Sequence, residues 1–157
     1  MKTHNYQAKT EWTGNLGEGT SGYKNYDRSH ILKVEGKPEI EASSDPSFRG
    51  DPTKYNPEEL FLSSLSSCHM LWFLHLCSVE GVIILEYIDE ADGVMIEEKD
   101  GKGKFTEVTL NPIVTVNEER MTSKLDSIHQ KANQMCFIAN SCNFPVKHNS
   151  IYRVLSG

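Results

Sequence analysis

Cys68, Cys77, Cys136 and Cys142 are the four cysteines of this 157-residue chain, and with six histidines they hold most of its capacity for nucleophilic, redox or metal chemistry. Four cysteines spread over this length do not make a disulfide framework; in a reducing compartment they stand for chemistry or for core packing. Cys68 and Cys77 share one apolar stretch with His69 and His75, which raises a metal site. Helical spacing tests that reading. At about 100° per residue Cys68 and Cys77 point to opposite faces, so one ion cannot bind both. No C-x-x-C or H-E-x-x-H spacing occurs, so we expect no metal, read both histidines as structural and read Cys77 as a small core hydrophobe. Cys68 differs: Ser63, Ser64, Ser66 and Ser67 surround it in an otherwise bulky segment, leaving room for a substrate or a second helix. Cys136 follows the apolar stripe Leu125, Ile128, Ala132 and Met135, with Cys142 a short turn beyond. Residue types alone leave Cys68 either an inert buried thiol or a reactive one.

Strands are expected over Tyr6 to Thr13 and Tyr23 to Val34, then a hairpin turn at Glu35-Gly36-Lys37-Pro38 and a loop from Ala42 to Tyr55. Asn56 can cap a helix, Pro57 suits its first position, and Glu58 and Glu59 favour the positive end of its dipole. From Leu60 to Leu76 apolar residues fall on every face, so this helix is expected to be buried all round, partly by a partner chain, and to stop at Gly81. Strands are expected over Val82 to Tyr87, Gly93 to Glu98 and Lys104 to Val116, the last two joined by an Asp100-Gly101 turn. Met121 to Met135 returns to helical spacing, and Asn143 to Leu155 reads as one closing strand. The class is α+β, helices on largely antiparallel sheet, in a single domain over residues 1–157.

Composition excludes several functions. A net charge of −6, with Lys and Arg scattered, does not favour nucleic acid or an anionic membrane as partner. The basic start, Met1-Lys2-Thr3-His4, is not followed by an apolar core, so a cytoplasmic address is expected. No run reads as a bilayer span, the nearest, Leu60 to Leu76, being interrupted by four serines and two histidines. Gly17-Glu18-Gly19-Thr20-Ser21-Gly22 matches G-x-G-x-x-G, but a polar strand precedes it and another strand follows where a phosphate site needs a helix, so we read a flexible turn.

Asn56-Pro57-Glu58-Glu59-Leu60-Phe61-Leu62-Ser63-Ser64-Leu65-Ser66-Ser67-Cys68 resembles the signature helix of the OsmC/Ohr family, the osmotically inducible and organic-hydroperoxide-resistance proteins. Cys136, in Ala132-Asn133-Gln134-Met135-Cys136, resembles the family's second cysteine, and the order of elements matches over nearly the whole chain. His69 stands where the family often has an aromatic, and Phe137 where it often has proline, which marks a divergent branch. The resemblance implies a cysteine peroxidase without metal, haem or flavin. Cys68 would attack the hydroperoxide and become a sulfenic acid, Cys136 would resolve it as a disulfide, and an external dithiol would reset the pair. An arginine from the N-terminal third, Arg28 or Arg49, would favour the thiolate, with Glu58 orienting that guanidinium. We favour Arg28, on an expected strand, over Arg49, in a loop.

Ten helical residues rise about 15 Å, so Glu58 cannot reach Cys68 along one straight helix. Two such helices crossing antiparallel near Ser63-Ser64 would bring Glu58 of one chain alongside Cys68 of the other. The expectation is therefore an intertwined homodimer with shared sites. A dimer that binds small ligands without thiol chemistry is the competing reading.

Overall fold

The computed structural model describes residues 1–155. In chain order it has β1 (Lys9–Trp12), β2 (His30–Lys33), β3 (Ile40–Ala42), α1 (Pro57–Val79), β4 (Ile84–Asp89), β5 (Asp92–Glu97), β6 (Gly103–Leu110), β7 (Pro112–Val116), α2 (Leu125–Met135), β8 (Val146–His148) and β9 (Ile151–Val154). The class is α+β. Two compact units divide the chain, Met1–Phe61 and Leu62–Gly157.

The first unit is built on an antiparallel sheet in the order β1-β2-β3. The Glu35 to Pro38 turn forms where the residue types place it, with Gly36 at a φ of 75° and Lys37 N donating to Val34 O. The strand expected over Tyr23 to Val34 forms a continuous ladder only from His30 onward, with one isolated bridge before it, Tyr26 to Asn15. Arg28 diverts what precedes it: Nη1 donates to Tyr26 O at 2.7 Å and Nη2 to Tyr23 O at 2.8 Å, which curls residues 23–28 around the guanidinium. Arg28 therefore precedes β2 instead of lying on a strand. The segment Gly17 to Gly22 forms turns held by Asn15 Oδ1, which accepts from Gly17 N and Gly19 N. In the Ala42 to Tyr55 loop, Asp45 caps a 3-10 turn over Pro46–Phe48, and Arg49 closes it in the left-handed conformation at φ 67°.

Both ends of α1 obey local rules. Glu59 N donates to Asn56 Oδ1 at 2.8 Å and Asn56 N donates to Glu59 Oε2 at 3.1 Å, a reciprocal capping box. At the far end Val82 N donates to Cys77 O and Gly81 N to Ser78 O, with Gly81 at φ 71°, a Schellman stop that a residue with a Cβ would strain.

In the second unit the core joins Phe73, Leu76 and Cys77 of α1 to Val114 and Val116 of β7 and to Leu125, Ile128 and Ala132 of α2. Tyr87 and Tyr152 pack against its margin. Two expected strands are each broken in the structure. The run Lys104 to Val116 splits at Asn111, whose amide donates to Asp89 Oδ1 while its side chain donates to Glu90 O and Asp92 Oδ2. The closing run splits into β8 and β9. The sheets are β4-β7-β9 and β5-β6-β8. β4-β7 and β5-β6 are antiparallel, whereas β6-β8 and β7-β9 are parallel, so the sheets are mixed.

The helix α1 corrects two expectations. It is long and apolar enough, by length and composition, to cross a membrane, because serine is only weakly hydrophilic and both of its acidic residues lie in the first turn. It is also not buried all round within this chain. Its buried residues form one stripe, Leu65, His69, Phe73, Leu76 and Cys77, while Leu71 is 62% exposed.

Candidate functional site

Cys68 lies midway along α1, half-buried, and Cys136 caps the C-terminus of α2, 1% exposed. The two thiols are near neighbours, close enough for Cys68 to raise the pKa of Cys136. The two cysteines lie 68 residues apart in sequence; the folding of α2 against the α1 face brings them together. Burial pushes the Cys136 thiol up to about 11, and the neighbouring Cys68 adds to the rise. The backbone amide of Ala139, donating to Cys136 Sγ at 3.4 Å, opposes it. Cys68 is thus the more accessible thiol and Cys136 the more shielded one, held as the neutral form at neutral pH.

The remaining cysteines separate cleanly from this pair. Cys77 sits in the core, its thiol pushed up to about 12 by burial, as suits an inert hydrophobe. Cys142 Sγ donates to Ile138 O at 3.2 Å and belongs to the turn after α2.

The serines around Cys68 border open space. A cleft of about 520 Å³ is lined by Ser63, Ser66, Ser67 and Met70 of α1 and by Tyr87 and Asp89 of β4. Asp89 organises its wall, accepting from Ser66 Oγ at 2.5 Å and from Asn111 N at 2.6 Å. The Tyr87 hydroxyl is buried with no hydrogen-bond partner, and burial raises its pKa.

In the first unit both candidate arginines gather on one ring. Arg28 lies over Tyr23 at 4.5 Å and over Tyr26 at 4.0 Å, and Arg49 lies 6.0 Å from the Tyr23 centroid. Glu58, in the first turn of α1, has a buried carboxylate oxygen, Oε2, with no hydrogen-bond partner.

Three histidines that the residue pattern did not single out as a group meet in the second unit. His69 and His129 are 1% and 0% exposed, with Nε2 of the first 2.9 Å from Nδ1 of the second. His148 of β8 stands over both, at ring-centroid distances of 5.7 and 5.5 Å. Helical spacing could have found half of this, since His129 falls on the same α2 face as Leu125, Ile128 and Ala132. Among the described residues, no group of three or more His, Cys, Asp or Glu side chains is arranged to hold a metal ion.

A family model described as OsmC-like protein matches residues 50–150. Among solved structures, an OsmC-like protein of unknown function from Vibrio cholerae is 30% identical, covering 95% of this chain and 100% of its own, with a TM-score of 0.84. An organic hydroperoxide resistance protein OsmC from Legionella pneumophila is 15% identical over 98% and 100% of the two chains, with a TM-score of 0.69. An organic hydroperoxide resistance protein from Elizabethkingia anophelis is 19% identical over 99% and 100%, with a TM-score of 0.68. At those two identities the likeness is one of fold. A search of curated protein sequences gave no match.

Proposed function

This chain belongs to the OsmC-like protein family, and on that premise we propose that it is a cytoplasmic thiol peroxidase acting on organic hydroperoxides or hydrogen peroxide through Cys68 and Cys136. The observation that carries this reading is the juxtaposition of a half-buried thiol, Cys68, with a shielded one, Cys136, whose pKa it raises. Two organic hydroperoxide resistance proteins that share the fold support it from outside.

The chemistry balances without a cofactor. The Cys68 thiolate attacks the terminal oxygen of the hydroperoxide, the O–O bond breaks, and the departing alkoxide takes a proton and leaves as the alcohol. Cys136 then attacks the sulfenic sulfur of Cys68, the S–O bond breaks, and hydroxide leaves as water with the Cys136 proton. A small dithiol returns the disulfide to two thiols and is itself oxidised. A high pKa on Cys136 suits this order, because the resolving thiol stays protonated until the sulfenic acid stands beside it. Arg28 or Arg49 is assigned the charge that favours the Cys68 thiolate, and Glu58 of the partner subunit the orientation of that guanidinium. Two observations support a shared site in a homodimer: the partnerless Glu58 oxygen, and the exposed apolar surface of α1 at Leu71.

The test is hydroperoxide consumption with a dithiol reductant. Cys68→Ser should lose activity to background, and Cys136→Ser should turn over once and leave a sulfenic acid that dimedone traps. Undiminished turnover by Cys68→Ser would defeat the assignment. A stable monomer at micromolar concentration by light scattering would remove the shared site while leaving the cysteine chemistry to stand.

A further inference from the structure

The redox pair sits where α1 meets α2, and the peroxide chemistry leaves a second side-chain contact between the same two helices unused. His69 directly follows Cys68 in α1, and His129 lies two helical turns before Cys136 in α2. Their rings are coplanar within 2° and meet edge to edge through Nε2 and Nδ1 at 2.9 Å. Phe73 stacks on the His129 ring at 3.9 Å, so the contact is enclosed on its face as well as at its edge.

Burial holds both rings neutral, His69 at about 4 and His129 at about 3. A neutral imidazole carries one N–H. If His69 Nε2 donates, the proton of His129 must sit on Nε2; if His129 Nδ1 donates, the proton of His69 must sit on Nδ1. Both of those outer nitrogens are buried without a partner. Every tautomer therefore leaves one N–H unsatisfied in the core, a cost that two leucines would not carry. A metal ion does not relieve it, because the two lone-pair directions at the contact face each other and do not converge on a third point.

Buried polar pairs that lower stability are best known as devices that select one register over its neighbours. Register between α1 and α2 is what the thiol pair requires. A one-residue slip of either helix turns its side chains by about 100° and would carry a sulfur out of reach. An apolar contact tolerates such a slip; a hydrogen bond between two ring edges does not.

We propose that the His69–His129 hydrogen bond is a positioning device that locks α1 against α2 and thereby keeps the Cys68 and Cys136 thiols beside each other. This rests on the two cysteines forming a disulfide, and it is independent of which oxidant they serve.

The experiment equilibrates the full-length chain with oxidised and reduced dithiothreitol and measures the Cys68–Cys136 disulfide fraction by mass spectrometry. Asn places its amide where the histidine Nδ1 stands, and Gln carries it one bond farther. His129→Asn should stay within about threefold of the parent equilibrium constant, whereas His129→Gln and His129→Leu should weaken the disulfide about tenfold or more, raising its potential by about 30 mV. Val116→Ala, a truncation of the buried β7 strand, should lower stability and leave the equilibrium unmoved. Equal constants across the His129 series, an Asn variant displaced as far as Gln, or a matching displacement by Val116→Ala would each overturn the proposal. Should the His129 variants not fold, His69→Gln, whose amide occupies the Nε2 position, against His69→Asn makes the same comparison from α1. A parent that forms the disulfide but consumes no peroxide would refute the peroxidase reading and leave the positioning role intact.

Discussion

Acid should unfold this protein through its core histidines before its carboxylates titrate. Burial keeps the folded-state pKa of His69 at about 4 and of His129 at about 3, each lowered further by a neighbouring histidine, while in the unfolded chain a histidine titrates near 6.5. The sign follows from proton counting. Below pH 6.5 the unfolded chain binds protons that the folded rings refuse, so stability is full above that pH and falls as the pH drops toward the folded values. Between pH 7 and pH 5 this amounts to about 2 kcal/mol for each ring, about 4 kcal/mol together. His148 is shifted in the same direction, by burial against a smaller opposing pull from Asp126. Tyr152, which donates to Asp126 Oδ1, faces His129 from β9 and keeps its proton throughout this range. The carboxylates with lowered pKa, such as Asp27, Asp45 and Asp51, lose their contribution only at more acidic pH, so the window isolates the rings. Urea denaturation at fixed protein concentration and with excess reductant should show a midpoint lower by about 2 M at pH 5 than at pH 7. The double variant His69→Leu/His129→Leu should lose most of that difference. Equal midpoints for the parent at the two pH values would mean that the rings titrate freely in the folded state, and the picture of a neutral buried pair would be wrong.

Other substitutions test single links. Phe73→Ala empties a fully buried site beside His129 and should cost about 3–5 kcal/mol by denaturation. Asn56→Ala removes the capping box of α1 and should cost about 1 kcal/mol, with Asn56→Asp recovering most of it. Gly50→Ala would place a Cβ 1.5 Å from the Ser44 carbonyl oxygen, a clash with backbone that should show as a sharp drop in soluble yield. Cys142→Ser should leave the Cys68–Cys136 disulfide unchanged on peptide mapping, since its sulfur is engaged with Ile138 O; loss of that disulfide would make Cys142 part of the exchange.

Much of this architecture is legible in the order of residues, and where it is not the cause is identifiable. The start and stop of α1 depend on residues within one turn of each end, Asn56, Pro57, Glu59 and Gly81, so local chemistry predicted both. The breaks at Asn111 and between β8 and β9 were invisible because the alternation of apolar residues runs through them. At the first, Asn111 bonds to Asp89, Glu90 and Asp92, and at the second Asn149 N donates to Leu110 O, all of them partners distant in sequence. Arg28 lies outside the strand that its neighbours predict for a similar reason, its guanidinium having captured the carbonyls of Tyr26 and Tyr23.

The residues by themselves determined that Cys68 would stand mid-helix among small neighbours, that Cys77 would face away from it into the core, and that a second cysteine would end the later helix. Each of these depends on the 100° step of a helix, which is a property of the backbone. Tertiary structure alone decided that Cys136, and not Cys142, lies against Cys68, and that His69 meets His129 beside them. Those contacts depend on how two helices rotate against a common sheet, and that rotation is set by the summed packing of Phe73, Leu125, Ile128 and Ala132, which no single stretch of the sequence contains.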